Sequence, residues 1–297
     1  MNTPSRSLDS QIIHALKQNG RASIRDISAE IGAPRGAVSA RLNHLIDSGH
    51  IRVFAAFDPG FAGQHVLVHS TVYITGPVTE VGRKIAELPA TVFVSLVSGP
   101  AGVVFESRHS DLRCLERLLN KVRGFDGVLR IHTTTYIEVI EGFFVTNYRE
   151  DVTVDNTDLE LISALQTNGR MSYRELAERS GLAPSSARSR VARLIEANVI
   201  SISAVESRAD SHGSYTVGVG INTNGDGQEL VELLKRTRQI DFSVRTYGRF
   251  NFIATVTDTS SLSLHEILDA IRSLDCVTAV ETWSHLSVLK EEYERIQ

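Results

Sequence analysis

A chain of 297 residues with 42% hydrophobic and 22% charged residues is long enough to bury several cores, and its net charge of −4 confines any meeting with nucleic acid to local patches. No apolar run approaches the roughly 18 residues of a membrane span, and the polar start MNTPSRSLDS lacks the apolar stretch of a secretory signal, so a cytoplasmic protein is expected. Its two cysteines, Cys114 and Cys276, speak against a disulfide framework or a zinc site and read as packing residues.

A shift of 149 residues lays the sequence on itself without a gap, carrying Asp9, Asn19-Gly20-Arg21 and Arg41 onto Asp158, Asn168-Gly169-Arg170 and Arg190, and later Gly99 onto Gly248 and Thr133 onto Thr282. The cysteines fall at non-equivalent positions of this repeat. Half a protein is a domain pair rather than a solenoid repeat, and a tandem copy of that size can act as a dimer fused into one chain. The expected domains are 1–57, 58–148, 149–208 and 209–297. Residues 1–57 carry seven basic side chains against four acidic ones, and residues 158–208 carry seven against six, a faint local excess of positive charge.

Leu8, Ile12, Ile13 and Leu16 recur at helical spacing, and Asn19-Gly20 predicts a stop through a left-handed glycine. Ser23 with Asp26, and Ser172 with Glu175, offer reciprocal caps for a second helix ending at Gly32 or Gly181. A third helix begins near Pro34 or Pro184, and the glycine turn before it suggests a helix-turn-helix. Val38, Leu42, Leu45 and Ile46, like Ala187, Val191, Leu194 and Ile195, share one face of that helix and must pack inward. The other side offers Arg35, Gly36, Ser39 and Asn43 in the first copy and Ser185, Ser186, Arg188, Ser189 and Arg193 in the second. Small, hydrogen-bonding side chains with few acids let a helix enter the major groove of double-stranded DNA; the plain alternative is a solvated face. Arg41 and Arg190 sit beside the apolar stripe, as phosphate clamps or as partners of acids on the second helix.

The segments LDSQIIHALKQNGRASIRDISAEIGAPRGAVSARLNHLIDSGHI and DLELISALQTNGRMSYRELAERSGLAPSSARSRVARLIEANVI both resemble the winged helix-turn-helix of the Lrp/AsnC transcription regulators, the second more closely through GLAPSSARSRVARL. The resemblance extends over nearly the whole chain, because the rest of each repeat fits that family's ligand-sensing RAM domain. Common members carry one such pair, so the tandem form departs from the usual plan. The resemblance implies a DNA-binding regulator without a cofactor, assembled as a homo-oligomer.

After Ile51 and Ile200, RVFAAF and SISAVE are expected to form the wing. Strand, helix, two paired strands, helix and strand then follow, from His65 to Val139 and again from Ser214 to Val288. This βαββαβ order is ferredoxin-like and makes the fold class α+β, two winged helix-turn-helix domains alternating with two RAM-like domains. Val66, Val68, Val72, Val217, Val219 and Ile221 would leave apolar surface unless the two sheets pair.

The resemblance also implies that a glycine-centred turn between the second and third strands lies near an effector pocket. Gly248-Arg249-Phe250-Asn251 retains that character, with Thr257 and Asp258 at the mouth of the next helix, where free amides suit the carboxylate of an amino-acid-like ligand. The first copy has Gly99-Pro100-Ala101-Gly102, so Gly102 stands where Asn251 offers a polar handle, and the second copy is the better sensor. A hairpin that needs positive φ is the alternative role of Gly99 and Gly248. Two further readings are a RAM-type assembly protein that has left DNA, and an enzyme resembling the siroheme decarboxylases, a branch with the same fold and a histidine-rich stretch around these strands. Neither stretch here has histidine between its strands. His65, His69, His109, His132, His212, His265 and His285 are scattered, without metal spacing, and read as surface or strand residues of a chain that is not an enzyme.

Overall fold

The computed structural model describes residues 8–142, 152–206 and 214–293, and Arg6, Arg208 and His212 lie outside them. The chain forms two compact units, residues 1–58 with 147–210 and residues 59–146 with 211–297, so each unit is assembled from both copies of the repeat.

The first unit holds α1 (Leu8–Gln18), α2 (Ile24–Ile31), α3 (Arg35–Asp47) and β1 (Ile51–Phe57), followed from the second copy by α6 (Asn156–Thr167), α7 (Tyr173–Ser180), α8 (Pro184–Glu196) and β6 (Ile200–Glu206). Ser23 and Ser172 cap α2 and α7 by accepting the backbone N–H groups of Asp26 and Glu175, and left-handed Gly32 and Gly181 end these helices. Val38, Leu42 and Leu45 are buried as the helical period requires, whereas Ile46 remains 37% exposed at the end of its stripe. Neither β1 nor β6 folds back as a hairpin wing on its own copy. They pair antiparallel with each other, Phe54 opposite Ser203, so each copy completes the other's strand.

The same pairing explains the repeated Asn-Gly-Arg. Gly20 and Gly169 are absent from the positive-φ residues, which corrects the left-handed stop. They are glycine because another strand passes close: a Cβ on Gly20 would lie 2.7 Å from the Ile202 carbonyl oxygen, and one on Gly169 would lie 3.0 Å from the Phe54 backbone. Their N–H groups donate across the copies, Gly20 to Ile202 (2.9 Å) and Gly169 to Val53 (2.8 Å). Arg21 donates to the carbonyls of Gly169 (2.7 Å) and Met171 (2.9 Å), and Arg170 returns the bonds to Gly20 (2.7 Å) and Ala22 (3.0 Å). Each of these six bonds has its counterpart under the 149-residue shift, the signature of a two-fold related pair.

The second unit holds β2 (Val66–Ile74), α4 (Val78–Ala86), β3 (Thr91–Val97), β4 (Val103–His109), α5 (Leu112–Arg123) and β5 (Val128–Glu141), then β7 (Tyr215–Thr223), α9 (Gln228–Arg236), β8 (Ile240–Tyr247), β9 (Phe252–Asp258), α10 (Ser261–Arg272) and β10 (Val277–Glu291). Each copy makes one ferredoxin-like sheet, and the two join at their edges through β10–β3 and β5–β8 into a closed barrel, β10-β3-β4-β2-β5-β8-β9-β7. Closure removes the open edges that a half-barrel would present. On the sequence, Val66, Val68, Val72, Val217, Val219 and Ile221 are expected to face the other sheet, and they do not. They pack outward, under the helices, in cores with Ile85 and Leu119 or with Leu230 and Leu264. Strand alternation therefore turns His69 and Tyr73 inward, where the interior joins such polar groups to two apolar clusters, Phe93, Val97 and Val104 with Tyr73, and Val139, Val244, Phe250 and Ile253.

Candidate nucleic-acid interface and barrel interior

On α3, Arg35, Gly36 and Asn43 are exposed and Ser39 half-exposed; on α8, Ser185, Ser186, Arg188 and Ser189 are exposed. Arg35 and Arg188 have no partner among the described residues. Gly36 has no atom within 4 Å of where a Cβ would stand, so its smallness leaves room outside the protein rather than inside it. The inward stripes of Val38, Leu42 and Leu45, and of Ala187, Val191 and Leu194, fix which way these faces point.

The other arginines are engaged, with acids of the first helix of each copy rather than of the second. Arg41 makes a two-pronged pair with Asp9, and its hydrogen bond holds the Asp9 carboxyl below the usual carboxylate range. In the second copy Asp158, 1% exposed, accepts from Arg190 (2.9 Å) and from Arg193, while Arg190 also binds Asp155 (2.7 Å) and Arg193 the Thr153 carbonyl (3.0 Å). Asp155 and Asp158 form the capping box of α6 as well. These pairs tie the first helix of each copy to its third helix and set the angle at which that helix is presented.

Within the barrel unit the β8–β9 turn is spent on structure. Gly248 has φ 139° and Gly99 φ 93°, as a hairpin demands. Asn251 Oδ1 accepts the Thr223 N–H (2.9 Å), Thr257 and Thr216 share a hydroxyl contact of 3.2 Å, and Asp258 accepts from the Ser260 N–H (2.9 Å) and the Ser263 hydroxyl (2.7 Å) at the start of α10. Gly102 is glycine because a Cβ would meet Val78 at 2.4 Å. Arg249 and Phe250 reach further. Arg249 donates to the Tyr73 hydroxyl and pairs with Glu281 (2.5 Å), and Phe250, 2% exposed, stacks on Trp283 with ring centroids 6.0 Å apart.

Histidines that are scattered in sequence meet here. His69, 5% exposed, lies 5.5 Å from the Trp283 ring, and His132 lies 5.1 Å from Tyr73. Burial, with Arg249 nearby, pushes the His69 pKa down to about 4; burial with Arg249 and Arg130 lowers that of His132. Burial and the Glu106 carboxylate push the Tyr136 hydroxyl well above its usual range. Sequence spacing could not find this cluster, because its members come from four strands of two copies. Its legible trace is the inward parity of positions 69 and 73. Of the cysteines, Cys276 does pack against the second-copy core, whereas Cys114 Sγ accepts from Arg117 (3.0 Å) at the start of α5.

A winged helix-turn-helix DNA-binding model matches the chain twice, at residues 6–52 and 154–201. An uncharacterised HTH-type transcriptional regulator of Pyrococcus abyssi is 32% identical over 135 residues, covering 44% of this chain and 85% of its own length. The HTH-type transcriptional regulator FL11 of Pyrococcus horikoshii is 30% identical over 135 residues, 45% of this chain and 89% of its own. Each corresponds to about one repeat. Over the full length, the crystal structure of the siroheme decarboxylase NirDL in complex with an iron-uroporphyrin III analogue superposes with a TM-score of 0.62 at 12% identity, covering 98% of this chain and 95% of that one, a likeness of fold.

Proposed function

Because the chain belongs to the Lrp/AsnC family of HTH-type transcriptional regulators, we propose that it works as a fused pseudo-dimer, one chain presenting two recognition helices to double-stranded DNA. The observation that carries this reading is the reciprocal bonding of Arg21 and Arg170, which holds two helix-turn-helix copies in two-fold relation while the outer faces of α3 and α8 stay open. Arg35, Ser39, Asn43, Ser185, Ser186, Arg188 and Ser189 would reach base edges or phosphates, with Gly36 allowing close approach. Arg41, Arg190 and Arg193 would act behind them, as positioning residues.

The barrel would serve as the sensing and assembly domain, taking a small molecule such as an amino acid near Gly248–Asn251, with further chains associating into a homo-oligomer in the cytoplasm. The reading as a regulator is preferred to an enzymatic one because relatives at 30% identity and above are regulators, whereas the decarboxylase shares the fold at 12%. The test is DNA binding as a function of salt: site-specific binding whose affinity falls steeply with salt supports the proposal, and salt-insensitive or absent binding removes it.

A further inference from the structure

The two copies line the barrel with different residues. Under the 149-residue shift His69, Glu106 and His132 of the first copy correspond to Gly218, Thr255 and Glu281, and Thr134 corresponds to Trp283. The exchange is reciprocal in space. Gly218 is glycine because Trp283 lies over it, where a Cβ would stand 2.1 Å from the indole nitrogen, and a Cβ on Gly220 would meet the Phe250 ring at 2.6 Å. An eight-stranded barrel has an interior wide enough either to be filled by side chains or to hold one small ligand. This one keeps Trp283 and His132 only half-buried although they point inward, and it leaves the Trp283 Nε1 and His132 Nδ1 atoms buried without a hydrogen-bond partner among the described residues. Unmet buried polar atoms of this kind are rare unless a further molecule completes them. Arg249 stands beside them with Tyr73 and Glu281, and after burial it is the next cause that lowers the pKa values of His69 and His132.

We propose that the barrel interior binds a planar aromatic carboxylate, its ring against Trp283 and His69 and its carboxylate received by Arg249, the Trp283 indole N–H and His132. The aromatic walls favour stacking, the indole N–H can only donate, and the arginine favours an anion. The proposal rests on the reading of the barrel as the sensing domain and names the chemistry of that sensing. It moves the ligand from the β8–β9 turn, where Asn251 is already bonded, to the interior.

Trp283 is the single tryptophan of the chain, so its fluorescence reports on the interior directly. Titration of the full chain with benzoate, read by Trp283 emission and by calorimetry, should give saturable binding that matches in both signals, with benzyl alcohol at least tenfold weaker. Arg249→Gln should weaken benzoate at least tenfold. His132→Phe keeps a ring in place and leaves the tethers of Arg249 untouched, and should weaken benzoate at least threefold, so the proposal stands or falls even where Arg249→Gln disturbs folding. No saturable response to benzoate, or equal binding of benzyl alcohol, overturns the proposal. An amino acid that binds by calorimetry without moving Trp283 emission also overturns it while preserving the sensing role of the barrel; neither benzoate nor amino acids binding removes both.

Discussion

The two units of this protein answer duplication in opposite ways. In the helical unit the copies keep equivalent contacts at their Asn-Gly-Arg turns: Arg21 and Arg170 make the same two bonds to each other's copy, and Gly20 and Gly169 yield to the same approaching strand. In the barrel the scaffold remains two-fold, each β5-type strand joined to the other copy's β3-type strand, but the interior does not, since the second copy has a glycine at the position of His69 and a tryptophan at that of Thr134. A unit that meets two equivalent half-sites is held to symmetry by its target. An enclosed interior has no such constraint.

The symmetric half breaks first at its outer faces. Arg35→Glu combined with Arg188→Glu should lower specific DNA affinity at least 100-fold, about 3 kcal/mol, in gel shifts, with an unchanged Tm because both side chains are exposed and have no partner among the described residues. An equal loss of folding would mean that these faces are packing surfaces.

The asymmetric half should reveal itself on acidification. An unfolded histidine takes its proton near pH 6.5, whereas buried His69 resists until about pH 4, so the unfolded chain binds more protons between these values. This residue therefore makes stability fall as pH drops from about 6.5 to about 4, by about 3 kcal/mol in total, and adds no slope above that window. Urea unfolding across the window should show a slope that becomes shallower in His69→Gln, the remainder coming from other shifted groups such as His132.

Even the helical unit is not wholly symmetric. Asp158 serves Arg190, Arg193 and a capping box, whereas Asp9 serves Arg41. Asp158→Ala should cost about 2 to 3 kcal/mol in urea unfolding, and Asp9→Ala about half of that. Equal losses would show that the additional bonds of Asp158 contribute nothing. A smaller effect is expected at the strand crossing: Gly20→Ala places a methyl against the Ile202 carbonyl and should cost about 1 to 2 kcal/mol, whereas Gly36→Ala, in open space on a helix, should hold or slightly raise Tm while weakening DNA binding.

Local signals in the sequence were sufficient for what depends on neighbours along the chain. The caps at Ser23 and Ser172, the glycine stops at 32 and 181, the three-helix order and both βαββαβ runs follow from spacing and side-chain chemistry. What required the other copy was not legible. Asn19-Gly20 resembles a helix stop, and only the position of Ile202 shows why glycine is needed. The single strands β1 and β6 resemble wings until they find each other. The valines of β2 and β7 signal a buried face without saying whether helix or sheet covers it, and that choice decides that His69 points inward. Arg41 and Arg190 are conspicuous because they repeat, but their acids lie 32 residues upstream, beyond the reach of any helical periodicity.

Footprinting of the full chain on its own operator by hydroxyl radicals tests the fused pseudo-dimer most directly. The account predicts two protected half-sites whose centres lie a whole number of helical turns, roughly 10 base pairs each, apart, with Arg35→Glu clearing one and Arg188→Glu the other. A single protected half-site, or a footprint indifferent to both substitutions, would contradict it.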